Sequence, residues 1–207
     1  MITANMVKEL REQTGAGMLD CKKALTETNG NMEEAITWLR EKGISKAAKK
    51  QTRIAAEGLA TAKISGNNAV LVEVNSETDF VAKNPEFVSL VNGIANVILD
   101  KKPANMEEAM KLELDGTSIE EAIVNKTATI GEKLSFRRFE LVEKTDNQVF
   151  GTYSHMGGKI VTLALLEGND TEVAKDIAMQ IAAMRPLYLD RDSVPEERIE
   201  KEKAILT

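Results

Sequence analysis

Apolar positions recur with helical spacing at both ends of the chain and alternate with polar ones in parts of its middle. Residues 3–43 hold three short helical patterns. Thr3 stands where an N-cap belongs, and Met6, Val7 and Leu10 share one face before Gly15-Ala16-Gly17 breaks the run. A second run keeps Cys21, Ala24, Leu25 and Thr28 on one side. A third opens at Asn31, carries Met32, Ala35, Ile36 and Leu39, and is expected to end at Gly43. Three such helices predict a small bundle.

The period changes after residue 55. Residues 59–64 and 69–74 read as strands around Gly66-Asn67-Asn68, which predicts a hairpin. Asn84 and Pro85 then supply the cap and first residue of a helix. Phe87, Leu90, Val91, Ile94, Ala95 and Ile98 fall on one of its faces. Segments 105–113 and 117–130 predict further helices, and 133–142 and 149–153 further strands. A weak repeat is also visible. The strand at 70–74 leads to Val81-Ala82-Lys83 and a helix, and the strand at 160–166 leads to Val173-Ala174-Lys175 and a helix with Ile177, Ile181 and Met184. Two units of one plan predict an α+β fold with a duplicated core. Pro186 and Pro195 bracket a loop before a last helical stretch, and the second unit is expected to be incomplete. The expected domains are 1–54, 55–143 and 144–207.

Charge refines this division. The 207 residues hold 27 Lys+Arg and 33 Asp+Glu, a formal net charge of -6. Residues 1–55 hold ten Lys/Arg against seven Asp/Glu, whereas the remainder is acidic. Lys42, Lys46, Lys49, Lys50 and Arg53 follow one another without an intervening acid. Such a run suits either a solvated linker or an RNA-binding segment; the acidic net charge and the lack of interleaved aromatics oppose RNA. One cysteine and one histidine exclude an intramolecular disulfide, a multi-Cys zinc site and an HExxH metal site. There is no P-loop, no GxGxxG after a strand and no GxSxG, so neither direct nucleotide binding nor a cofactor is expected. No apolar run reaches the ~18–20 residues of a membrane helix, and residues 1–15 have no signal-peptide core; a cytoplasmic, reduced protein is expected.

Three places hold candidate chemistry. Leu19 stands beside Lys22 and Lys23 on the face opposite Cys21, an arrangement suited to binding. Ser76-Glu77-Thr78-Asp79-Phe80 joins a strand to a capped helix. Phe80 belongs to neither periodic face, and its counterpart in the second unit is Glu172, so it reads as a displayed anchor rather than a plug. His155 precedes Met156-Gly157-Gly158 and is expected at a turn tip, as an ordinary turn residue or a contact.

The segments TGAGMLDCKKAL (14–25), EEAITWLREKG (33–43), KAAKK (46–50), NSETDFVAKN (75–84), IGEKLSFRR (130–138) and HMGGKI (155–160) together resemble bacterial elongation factor Ts. The resemblance spans nearly the whole chain in one motif order. It implies a ubiquitin-associated-like three-helix domain followed by a core of two related α+β subdomains. It also implies a guanine-nucleotide exchange factor for the GTPase elongation factor Tu, acting without covalent chemistry. On the matching positions, Thr78, Asp79, Phe80 and Val81 would form the intruding element, with Asp79 and Phe80 entering near the partner's magnesium site. Ile130, Gly131 and His155 would lie along the same contact surface. Met18, Leu19 and Lys22 would bind the partner's nucleotide domain.

Overall fold

The computed structural model describes residues 2–206. Three helices open the chain, α1 (Ala4–Thr14), α2 (Met18–Glu27) and α3 (Met32–Ala48). The Thr3 hydroxyl caps α1 by accepting from the Met6 N–H, and Gly15 closes it at φ 66°, a left-handed conformation that glycine adopts without a Cβ clash. The Asn31 side chain caps α3 by accepting from the Glu34 N–H. Val7, Leu10, Cys21, Ala24, Leu25 and Ala35 form a shared buried core. The expected stop at Gly43 is corrected: α3 runs on to Ala48. A Cβ on Gly43 would lie 3.1 Å from Ala128 Cβ in the helix Ile119–Ile130. The glycine therefore lets two helices approach closely, and packing outweighs its ~1 kcal/mol helix penalty.

The basic segment, which spans the end of α3 and the residues just beyond it, is answered in part within the chain. Lys42 Nζ lies over the Trp38 ring, 5.4 Å from its centroid. Lys46 pairs with Asp20 at 2.9 Å and Arg53 with Glu77 at 3.3 Å.

Strands β1 (Glu57–Ser65) and β2 (Asn68–Ser76) form the expected hairpin, with Gly66 at φ 56° in the turn. Next come α4 (Asp79–Ala82), α5 (Pro85–Lys101), α6 (Met106–Lys111), the two-residue strands β3 (Glu113–Leu114) and β4 (Thr117–Ser118), α7 (Ile119–Ile130) and β5 (Ser135–Glu143). The first sheet is antiparallel, in the order β1-β2-β5. The face of α5 that was legible as a period is the face it buries. Phe87, Leu90, Val91, Ile94, Ala95 and Ile98 pack on Val70, Val72, Val74, Leu134 and Phe136 from the sheet side. Ser118 and Glu121 close a reciprocal capping box at the start of α7.

The second unit holds β6 (Gln148–His155), β7 (Ile160–Glu167), α8 (Thr171–Met184) and α9 (Glu196–Leu206). Its strands pair antiparallel as a two-stranded sheet. A Cβ on Gly151 would collide with the Ala174 carbonyl, so β6 needs glycine there for α8 to lie against it. Among the described residues, no helix is long and apolar enough to cross a membrane. The architecture is thus α+β with an N-terminal helical region.

Candidate functional site

The strand-to-helix corner after β2 is built by capping. Ser76, fully buried, ends the strand, and its hydroxyl donates to the Thr78 carbonyl at 2.9 Å. Thr78 is extended at φ -126° and ψ 158°, and its Oγ1 accepts from the Val81 N–H at 3.4 Å. That cap starts α4, a single turn. Asn84 Oδ1 then accepts from the Glu86 N–H at 2.8 Å, and Pro85 starts α5. Two caps six residues apart thus split what would otherwise be one helix.

The single turn sorts its four residues by direction. Val81 and Ala82 face the core, at 9% and 8% exposure. Val81, the last residue of the expected intruding element, anchors the turn from below. Phe80 projects outward and is 81% exposed. Burying a phenylalanine is worth ~1.5–3 kcal/mol, so a ring left in water on an ordered corner points to a partner. Asp79 stands beside it, paired with Lys83 at 2.8 Å. This contact holds the Asp79 carboxyl below its ordinary range and raises Lys83 above its own.

Two further corners meet this one. Gly131 closes α7 at φ 91°, and its N–H donates to the Thr127 carbonyl at 3.1 Å. Ile130 is half-buried against the first core, whereas Gly131 is exposed. Immediately beyond them, Glu132 accepts from both the backbone N–H and the hydroxyl of Thr78. Ile130 and Gly131 are contact residues that the resemblance implies, whereas Glu77 and Glu132 stand inside the quoted motifs with no role of their own. Glu77 accepts from the Lys133 N–H, chiefly for which reason its carboxyl sits below the ordinary range; burial opposes this, and Arg53 adds to it.

The β6–β7 turn approaches from the other side. The Ala60 N–H of β1 donates to the Gly158 carbonyl at 2.9 Å, and any Cβ on Gly158 would strike the Leu59 side chain and the Ala60 carbonyl. Lys159 pairs with Glu57 at 3.3 Å, and its charge reaches Asp79. Asp79, Lys83, Glu57 and Lys159 therefore form one charged patch beside Phe80. His155 is exposed at the end of β6, one residue before the turn rather than at its tip. Its Nδ1 lies 3.1 Å from the Tyr153 hydroxyl, and the two rings stack with centroids 6.0 Å apart.

The head presents its own surface. Cys21, Ala24 and Leu25 are fully buried on one face of α2, while Met18 and Leu19 are 54% and 83% exposed and Lys22 is also exposed. Burial raises the Cys21 thiol above its ordinary value, so it packs as a small apolar group rather than a thiolate.

A family model for elongation factor TS matches residues 77–207, well over half of the chain. The match opens at Glu77, inside the Phe80 corner, and takes in the α7–β5 corner and the β6–β7 turn. That family consists of nucleotide exchange factors that serve a translational GTPase. With a match over more than half of its length, this chain belongs to the elongation factor Ts family.

Proposed function

We propose that this chain binds the GTPase elongation factor Tu and accelerates GDP release by displacing the elements that support the partner's magnesium and phosphates. The observation that carries this reading is Phe80, 81% exposed on a corner fixed by caps at both ends. Asp79 is the neighbouring group that enters with it. Ile130, Gly131 and His155 extend the same contact surface, and Met18, Leu19 and Lys22 hold the nucleotide domain from the head. In this division the head and linker span 1–54, the first core unit 55–143 and the second 144–207.

No covalent bond changes in this reaction. The factor acts by binding the nucleotide-free GTPase more tightly than the loaded one, and GDP weakens factor binding in return by the same ratio. Magnesium neutralises phosphate charge, so a ring that shifts its supporting loops loosens the nucleotide without a catalytic base. The lysines of the 42–53 segment that engage Trp38 and Asp20 favour a structural role for that segment over nucleic-acid binding.

Phe80→Ala tests the reading. Loss of an interfacial aromatic anchor costs ~2 kcal/mol or more, so release of a fluorescent GDP from the GTPase should slow by about thirtyfold. Thermal unfolding of the free variant should hardly move, because the ring is solvated. An unchanged release rate would remove Phe80 from the mechanism.

A further inference from the structure

Two corners far apart in sequence lend each other a carboxylate. Glu132, after α7, accepts from the Thr78 backbone N–H at 2.9 Å and from the Thr78 hydroxyl at 2.7 Å. Glu77, before α4, accepts from the Lys133 backbone N–H at 2.6 Å. Each acid thus satisfies a backbone donor that its neighbour's turn leaves without a helix or ladder partner. The linker joins the same arrangement, since Lys133 Nζ donates to the Gln51 carbonyl at 2.6 Å and the Arg53 carbonyl at 3.0 Å.

The direction of the Thr78 hydroxyl bond matters most. An ionised Glu132 only accepts, so the hydroxyl must spend its proton on that bond. The Thr78 oxygen is then left with lone pairs to receive the Val81 N–H, the bond that starts α4. A four-residue helix has no stability of its own, because nucleation fixes several dihedrals for one hydrogen bond. Its geometry, and with it the aim of Phe80, depends on that cap.

We propose that Glu132 is a positioning residue for nucleotide exchange: it orients the Thr78 hydroxyl so that the single turn carrying Phe80 forms and presents the ring. The proposal rests on the reading of Phe80 given above. It assigns Glu132 no contact with the partner; it acts through Thr78.

The experiment compares wild type, Glu132→Ala, Glu132→Gln, Phe80→Ala and the double variant Phe80→Ala/Glu132→Ala, by release of fluorescent GDP from the GTPase as the factor is titrated to saturation. Glu132→Ala should slow the maximal release rate by about five- to tenfold, as expected for losing two hydrogen bonds to a charged group on a solvated corner. The factor concentration at half-maximal rate should change little, because the head surface is untouched. Glu132→Gln should fall between Ala and wild type. Its carbonyl can still accept from the Thr78 N–H, but its amide would donate to the hydroxyl oxygen and compete with the Val81 N–H. In the Phe80→Ala background, Glu132→Ala should slow release further by less than about twofold, because residues acting as a unit are not additive.

A full wild-type rate for Glu132→Ala, or an equal slowing with and without Phe80, would overturn the proposal while leaving the Phe80 reading intact. If Phe80→Ala itself left release unchanged, both would fall. Thermal unfolding accompanies each variant. Should Glu132→Ala not fold, Glu132→Gln in the two backgrounds carries the same comparison, and a Gln variant with the wild-type rate would then overturn it.

Discussion

The two strand-to-helix junctions of the core solve one problem in different ways. After β7, the chain passes through Gly168 and Asn169 to Asp170, whose carboxylate accepts from the Glu172 and Val173 N–H groups at 3.0 Å each. A single cap suffices, and α8 runs unbroken for 14 residues. After β2, two caps interrupt the path and insert α4. Glu172 stands in the first turn of α8, where a carboxylate complements the helix dipole. Phe80, its counterpart, stands in water. The second junction shows that the scaffold holds its helix without an aromatic there.

The helices behind these junctions also differ. α5 buries Phe87 and five further apolar side chains, whereas the buried positions of α8 are Ala174, Ala178 and Ala182. Val81 is 9% exposed and its counterpart Val173 is 49% exposed. The unit that buries the larger apolar side chains is the one that carries the displayed ring. An exposed anchor needs a well-packed base, because motion of the corner would spread the ring over many directions and weaken docking.

The largest expected effect bears on that base. Phe87→Ala removes a fully buried ring from α5 and should cost ~3–5 kcal/mol in denaturant unfolding. Ala178→Gly, at a fully buried position of α8, should cost ~1 kcal/mol. Equal losses would mean that the two units are equally packed and would break the contrast.

Exchanging the two junction residues is the next test. Phe80→Glu should leave stability within ~0.5 kcal/mol but slow GDP release by about thirtyfold, as Phe80→Ala does. Glu172→Phe should lose ~0.5 kcal/mol of helix-dipole stabilisation and leave release unchanged. A slowed Glu172→Phe variant would show that the two junctions share the task.

The smallest effect is one of pH. The Lys133 N–H holds the Glu77 carboxyl below its ordinary range. A depressed folded-state pKa stabilises above the unfolded value, and the benefit disappears as pH falls through the folded one. Glu77→Gln should therefore melt below wild type at neutral pH, with the gap closing as the medium is acidified through the carboxylate range. A gap of constant size would assign the difference to shape rather than charge.

Much of this is legible in the sequence alone. The caps at Thr3, Asn31 and Asn84, the turn at Gly66 and the buried stripe of α5 all depend on residues within about four positions of one another, so their physics is written locally. Phe80 was legible by contrast, as an apolar residue outside both periods and lacking an apolar counterpart in the repeat. Glu132 and Glu77 were not, because a carboxylate that satisfies a backbone donor more than fifty residues away looks like any surface acid. Gly43 misled for the same reason. In isolation it is a helix terminator, and only the Ala128 methyl at 3.1 Å makes it a contact point inside α3. The burial of Val81 is of the same kind, since it depends on the core beneath α4. Hydrogen bonding along the chain and side-chain period settle elements and caps; close approach between distant segments settles which way a corner points, and the aim of Phe80 is of that second kind.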